Sequence, residues 1–333
     1  MARPWPARAL WAVVVGQPRV PVGPVHGRTA VALRAVATPS SASSNAGERV
    51  IGVGLLGCGN VGAALVQLIG DQADVIAART GIRLRVVKVA VRNLSREREV
   101  QLPEEIMTRD ARSVVSDPAV DVVVEVMGGI EPARELIMAA IEQHKPVVTA
   151  NKELLANVGT ELLAAADHAE VDLLFEAAVA GGIPLIRALR ESLRGEPIKR
   201  VMGIVNGTTN FILTKMTEEG ADYGDALAEA QRLGFAERDP TADVEGFDAG
   251  AKVAIMASIC FGAKVVAGDV YHEGISQITA ADIAVARRLG YVVKLLGIAE
   301  FDSVANSIAV RVHPAMVPIH HPLASVRESY NAV

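Results

Sequence analysis

The sequence predicts an α/β protein, a parallel-sheet domain followed by a second domain of the α+β type. Three observations carry this expectation. The chain has 333 residues, whereas a single hydrophobic core usually stops growing at about 250–300 residues. Through the first half, short apolar runs alternate with stretches of helical periodicity, the pattern of buried parallel strands joined by crossover helices. Beyond Gly181-Gly182 that alternation stops. The boundaries expected are 1–48 for an extension, 49–180 for the first domain and 181–333 for the second.

Residues 50–56 form an apolar run that ends in Gly57-Cys58-Gly59-Asn60-Val61-Gly62, and an apolar-periodic stretch follows over 63–76. This is strand, glycine turn, helix. Residues 84–91, 120–126 and 146–149 supply further buried strands, with a helix over 132–143 between the last two, and a strand over 171–176 closes the half. In the second half the pattern predicts a helical segment over 184–193, a strand over 199–205, and then several helices with interspersed glycines. There is no internal repeat and no heptad run.

Composition narrows the partners. Half the residues are hydrophobic and the net charge is −5, with no block of Lys or Arg interleaved with aromatics, so nothing points to nucleic acid. No apolar run approaches the ~20 residues a membrane span needs. A small molecule is the expected partner. Cys58 and Cys260 are the only cysteines, too few for a disulfide framework and consistent with reduced thiols. The leader differs from the rest: Arg3, Arg8, Arg19, Arg28, Arg34 and Arg49 stand against one acid, Glu48, around a Ser/Ala/Pro stretch. Such a segment has little to bury. It fits an organelle transit peptide, a disordered extension, or a start placed upstream of the true one, while 9–16 makes only a weak secretory h-region. The expected location is cytoplasmic, with organelle targeting as the alternative.

The glycine turn carries chemistry because of where it stands. After an apolar strand and at the start of a helix, Gly57 permits a tight turn, Gly59 lets the backbone approach a pyrophosphate, and Gly62 lets helix and strand pack closely. The N–H groups at Asn60 and Val61 and the positive end of the helix dipole would face the phosphates. The first domain is therefore expected to be of the Rossmann type. The second strand ends Val89-Ala90-Val91-Arg92, with no acid for the ribose of NAD but a basic residue for a 2′-phosphate. NADP is expected, with NAD as the alternative.

Thr149-Ala150-Asn151-Lys152 follows a buried strand at the carboxyl edge of the sheet, where ligands of open α/β folds sit. The stretch from Gly234 to Lys252 holds Glu237, Asp239, Asp243, Glu245 and Asp248 in a loop that runs into an apolar helix over 253–261. Asp248 and Lys252 stand four residues apart and share one helical face. On a buried helix those charges demand partners or a function. Oxidation of an alcohol by hydride transfer needs a base at the hydroxyl, and the reverse needs an acid there. A desolvated lysine can serve as both. Carboxylates such as Glu237 and Asp243 suit the ammonium group of an amino-acid substrate.

At this point the residues resemble a known family. Ala230 to Lys252 matches A-x3-G-hydrophobic-small-x2-D-P-x2-D-aliphatic-x-G-x-D-x3-K of homoserine dehydrogenases without a mismatch. The glycine turn, Thr149 to Lys152, Glu176-Ala-Ala-Val-Ala-Gly-Gly-Ile-Pro184 and Val205-Asn206-Gly207-Thr208-Thr209-Asn210 are similar to the same family. The resemblance runs from about Val50 to the C-terminus. It implies NAD(P)-dependent interconversion of L-homoserine and L-aspartate 4-semialdehyde, a step in threonine, methionine and isoleucine biosynthesis, by a homodimer whose second domain binds substrate and dimerises. By this resemblance Lys252 donates and accepts the proton. Asp248 orients substrate, Glu237 and Asp243 contact homoserine, and Lys152 touches substrate and nicotinamide. The family's monovalent cation, sodium, would be held by Glu176 and by backbone oxygens of Val179, Gly181 and Ile183.

Two departures accompany it. The chain stops at Asn331-Ala332-Val333, where the family continues into a glycine-rich cofactor-contacting segment and a returning helix, so the second domain is expected to be incomplete. Glu328 replaces a glycine usual in that stretch. The alternatives are another Rossmann enzyme acting on an amino or oxo acid, and an inactive nucleotide-binding module. His320-His321, between prolines, is expected to be structural or exposed rather than metal-binding.

Overall fold

The computed structural model describes residues 48–333. All of the leader expected over 1–48 except Glu48 lies outside the described residues, and Glu48 accepts from the Arg83 guanidinium at 2.8 Å.

Six parallel strands make the first sheet: β1 (Arg49–Leu56), β2 (Ile82–Ala90), β3 (Met107–Thr108), β4 (Val122–Glu125), β5 (Val147–Thr149) and β6 (Leu173–Leu174). Their spatial order is β3-β2-β1-β4-β5-β6, the Rossmann order, with its reversal between β1 and β4. Six consecutive buried residues in β1 show why the run lacks alternation: helices cover both faces of the sheet. Those helices are α1 (Asn60–Asp71), α2 (Ala73–Thr80), α3 (Ala111–Val115), α4 (Ala133–Glu142) and α5 (Lys152–His168).

Two boundaries differ from expectation. The single helix predicted over 63–76 starts three residues earlier and breaks at Gln72, where α1 and α2 meet at 63°. Gln72 N–H closes α1 on Leu68 while its carbonyl accepts from Ile76 to open α2, so one apolar stripe serves two short helices. The strand predicted over 171–176 stops at Leu174, and Glu176 begins a 3-10 turn. Among the described residues no single helix is long and apolar enough to cross a membrane.

The second half opens with α6 (Leu185–Arg187), continued by a π-helical turn over Ala188–Ser192; together they occupy the helical segment predicted over 184–193. Its sheet has the order β7-β9-β10-β8, built from β7 (Arg200–Gly203), β8 (Tyr271–His272), β9 (Tyr291–Asp302) and β10 (Ser307–Pro318). Helices α7 (Gly207–Glu219), α8 (Tyr223–Arg232), α9 (Thr241–Val244), α10 (Phe247–Phe261) and α11 (Ala280–Arg288) complete it. The β9–β10 hairpin corrects the expectation that only helices follow residue 205. Seven successive residues of β9 are buried, because α10 and α11 pack on the strand while Leu296 and Ile298 join a separate cluster with Ile204, Val317 and Leu323. A strand buried on both faces shows no period-two alternation, so periodicity cannot separate it from a buried helix.

Helix α10 is the keystone between the halves. It packs on α5 of the first domain and on β9 of the second, and one continuous core runs from Leu154 and Phe175 through Val253 to Val312. The C-terminal residues are tied in by a buried lysine. Lys294 donates to Asn210 Oδ1 at 2.9 Å and to the Val326 carbonyl at 2.5 Å, while the Asn210 amide reaches the carbonyls of Val326, Glu328 and Tyr330. Burial pushes the Lys294 ammonium down to about 8. Glu328, the residue in place of the family's glycine, has φ +50, a conformation that costs a side-chain-bearing residue about 1–2 kcal/mol.

Candidate active site

The glycine turn is sterically committed. Gly57 has φ +98, and a Cβ on Gly62 would lie 2.5 Å from the Gly57 carbonyl oxygen. A Cβ on Gly59 would meet nothing within 4 Å. The first and last glycines thus serve the chain, and the middle one faces open space where a pyrophosphate could approach. Gly59 caps α1 without a side-chain hydrogen bond, so the N–H groups of Asn60 and Val61, both exposed, are left for an anion. Arg92 is exposed two residues beyond the end of β2. Sequence reasoning missed its neighbour Arg98. Its guanidinium donates to the carbonyls of Asn93, Leu94 and Arg96, and its charge opposes the push of burial that raises the Cys58 thiol.

At the carboxyl ends of β4 and β5 lies a polar knot that sequence reasoning also missed. Glu125 is fully buried; one oxygen accepts from Thr149 Oγ1 at 2.6 Å and the other from Met127 N–H at 2.8 Å and Gly128 N–H at 3.2 Å. Thr149 Oγ1 in turn accepts from Asn151 N–H, Asn151 donates through its amide to the Gly129 carbonyl, and its Oδ1 caps α5 at Leu154. An acid ending an otherwise apolar strand, Val-Val-Val-Glu, is the signal that could have found it.

This knot sets the position of Lys152, the first residue of α5. Its ammonium pairs with Asp248 Oδ1 on α10, so an ion pair crosses from one domain to the other. Asp248 is 6 % exposed, and its second oxygen accepts from Lys252 Nζ at 2.6 Å and from Asn206 Nδ2 at 2.9 Å. Burial pushes the Asp248 carboxyl up, but Lys252 and then Lys152 pull harder in the other direction, and the balance leaves it below the usual carboxylate range. Lys252 also donates to the Val205 carbonyl at 2.7 Å. An ammonium has three donors, so one remains for a ligand.

Asn206 brings in Asp243, accepting nothing from it but donating to its Oδ1 at 2.7 Å. Of the predicted site residues, Lys152, Asp243, Asp248 and Lys252 therefore form one connected group. Glu237 stays apart: it is exposed on the loop before α9, and the loop is held by its backbone carbonyl through Gln231. Glu176 has a structural task of its own, since its two oxygens accept from Ile186 N–H at 2.8 Å and Arg187 N–H at 2.9 Å and so cap α6. Val179, Gly181 and Ile183 lie in the turn between, around Ala180 at φ +49 and Gly182 at φ +86. A cleft of about 1100 Å³ runs from Val61 and Ala150 past Glu176 and Gly181 to Arg190 and Cys260, and Asp248 and Lys252 are not among its walls.

Fold and site together define a two-domain protein of the dinucleotide-binding α/β class, with a lysine–aspartate–lysine group where the second domain meets the carboxyl edge of the first sheet. Residues 57–176 match the family model for the homoserine dehydrogenase NAD binding domain, and residues 184–333 match the one for homoserine dehydrogenase. The homoserine dehydrogenase of Mycobacterium tuberculosis is 52% identical over 289 residues, 86% of this chain and 65% of the relative. A homoserine dehydrogenase structure from Thiobacillus denitrificans superposes with TM-score 0.78 at 48% identity, covering 86% of this chain and 65% of that one. A hyperthermophilic archaeal homoserine dehydrogenase in complex with NADPH superposes with TM-score 0.69 at 27% identity, covering 85% and 86%. The chain belongs to the homoserine dehydrogenase family. It spans about 65% of the length of the first curated relatives it matches.

Proposed function

We propose that the chain oxidises L-homoserine to L-aspartate 4-semialdehyde and catalyses the reverse reduction, with 49–180 binding the dinucleotide and 181–333 the amino acid. The observation that carries this reading is the Lys152–Asp248–Lys252 group at the domain junction. A neutral Lys252 amine has two N–H donors, matching its two acceptors at Val205 and Asp248, which leaves the lone pair to take the substrate hydroxyl proton. Asp248 holds that amine in place and keeps Lys152 beside it. Asp243 and Glu237 are the carboxylates for the substrate ammonium, Asp243 already joined to the group and Glu237 on the adjoining loop. Lys152, about half exposed, suits the substrate carboxylate and the nicotinamide end of the cofactor.

The residues present fit a dinucleotide: Gly57, Gly59, Asn60, Val61 and Gly62 would hold its pyrophosphate and Arg92 its 2′-phosphate. NADP supplies the hydride acceptor when bound, and the NADPH complex of the archaeal relative supports that choice over NAD. A sodium ion would find hard oxygen donors in Glu176 and the carbonyls of Val179, Gly181 and Ile183. Glu176 can serve there as well as cap α6, because each carboxylate oxygen has a second lone pair. The active form is taken to be a homodimer.

The near-ultraviolet absorbance of reduced nicotinamide tests the reading directly. Homoserine with NADP should give a rise that needs both; no turnover with NADP or NAD, in protein that binds the dinucleotide, would overturn it. The cofactor assignment has its own test. Arg92→Asp replaces a phosphate partner by a ribose acceptor and should lower the NADP to NAD preference by at least tenfold, the equivalent of about 1.4 kcal/mol. An unchanged ratio of kcat/KM for the two cofactors would remove Arg92 from the site.

A further inference from the structure

Asn206 is buried at 4 % exposure, and both ends of its amide are used. Its Oδ1 accepts from Thr209 N–H and Thr209 Oγ1, each at 2.8 Å, which fixes the direction of the amide and caps α7. Its Nδ2 donates to Asp243 Oδ1 at 2.7 Å and to Asp248 Oδ2 at 2.9 Å. Two donors and two lone pairs are all an asparagine amide has, so the group is saturated. Capping explains only the oxygen. A serine or an aspartate would cap α7 as well, yet neither could offer two N–H groups to carboxylates arriving from α9 and α10.

Two carboxylates hydrogen-bonded to one nitrogen would repel each other without it. The amide is neutral, so it holds them together without consuming the charge that either needs. Asp243 is thereby tied through Asn206 to Asp248, whose Oδ2 accepts from Lys252 Nζ as well as from the Asn206 amide. The charged groups around Asp248 are Lys152 from α5, Lys252 from its own helix and Asp243 from α9 by way of Asn206.

We infer that Asn206 is a positioning residue of the reaction: its amide sets the spacing between the carboxylate that receives the substrate ammonium and the carboxylate that steadies the Lys252 amine. This rests on the function proposed above. It extends that function by making substrate fit and proton transfer depend on one uncharged side chain that touches neither the cofactor nor the proton in flight.

Two substitutions separate this role from capping. Asn206→Asp is isosteric and keeps the acceptor for Thr209, but puts a negative oxygen between two carboxylates. Asn206→Ser also keeps a capping oxygen and removes the donors without adding charge. Both variants should keep helix content and dinucleotide affinity. Asn206→Ser should lose tenfold to hundredfold in kcat/KM for homoserine, the effect of removing hydrogen bonds to charged groups, chiefly through KM. Asn206→Asp should lose more, and the acidic limb of its kcat/KM profile should move to higher pH. Carboxyl carbon NMR titration should show both the Asp243 and the Asp248 resonance displaced from wild type in Asn206→Ser.

Wild-type KM, kcat and carboxyl titrations in Asn206→Ser would overturn the inference, whether or not Asn206→Asp folds. An Asn206→Asp variant that folds and keeps the wild-type pH limb would overturn it equally. If wild-type protein does not oxidise homoserine, the proposed function fails on its own, and the carboxyl titrations still decide whether Asn206 couples the two acids.

Discussion

Lys252→Ala should lower kcat for homoserine oxidation by about 10²- to 10⁴-fold, the range for loss of a general acid-base, while NADP affinity and melting temperature stay close to wild type. The fold should survive because Asp248 keeps Lys152 and Asn206 as partners when Lys252 is gone, so no buried charge is stranded. The cofactor should still bind because the glycine turn joins β1 to α1 and Arg92 follows β2, whereas Lys252 lies on α10 of the other domain. Steady-state kinetics and dinucleotide fluorescence titration check both parts. A variant with near wild-type kcat would show that another group moves the proton.

Asp248→Ala should be the more damaging change to stability. It removes the shared carboxylate partner of two ammonium groups, of which Lys252 has only 16 % of its side chain exposed. Removing one partner of a buried ion pair costs about 3–5 kcal/mol, a drop of roughly 10 °C in melting temperature for a protein of this size. Activity should fall with it, since only the Val205 carbonyl then steadies the Lys252 amine. Denaturant melts of wild type and variant across pH add a sign. The folded Asp248 carboxyl titrates below its ordinary range, so its contribution is present above the unfolded-state value near 3.9 and is lost as pH falls through the folded one. The gap between wild type and Asp248→Ala should therefore be full at neutral pH and close in strong acid. A pH-independent gap would mean that the loss comes from packing alone.

Much of the first domain was legible in the sequence. Strand β1, the glycine turn and β4 and β5 are apolar runs with sharp ends, and a parallel sheet covered on both faces leaves that trace directly. The glycines at 57 and 62 could be assigned structural roles in advance because the lack of a Cβ is a local property. Asp248 and Lys252 could be paired because a helix brings positions four apart together whatever surrounds it. The break at Gln72 was not legible, because no proline marks it and the residue that closes α1 also opens α2.

The second domain shows where local signals stop. Residues 291–302 carry no strand period, since α10 and α11 lie on one face and the Ile204–Leu323 cluster on the other. Glu125 went unnoticed because one acid after three valines says only that a partner is needed, and its partner Thr149 comes from another strand; one arginine in a charged loop, Arg98, says less still. Asn206 was visible only as part of a motif. Its task depends on Asp243 and Asp248, which lie 37 and 42 residues further along the chain.

By itself the sequence determined the class of the nucleotide domain, the place of its glycine turn, the family, and the one-turn pairing of Asp248 with Lys252. Each of these rests on the order and spacing of residues within one element or between elements that are neighbours along the chain, where backbone geometry leaves little choice. The tertiary structure alone decided that Lys152 reaches Asp248 across the domain junction, that Asn206 gathers two acids, that Glu176 caps α6, and that Glu237 stands outside the hydrogen-bonded group. Those contacts join elements whose separation in sequence carries no information about their distance in space, and only the packing of α10 between α5 and β9 brings them together.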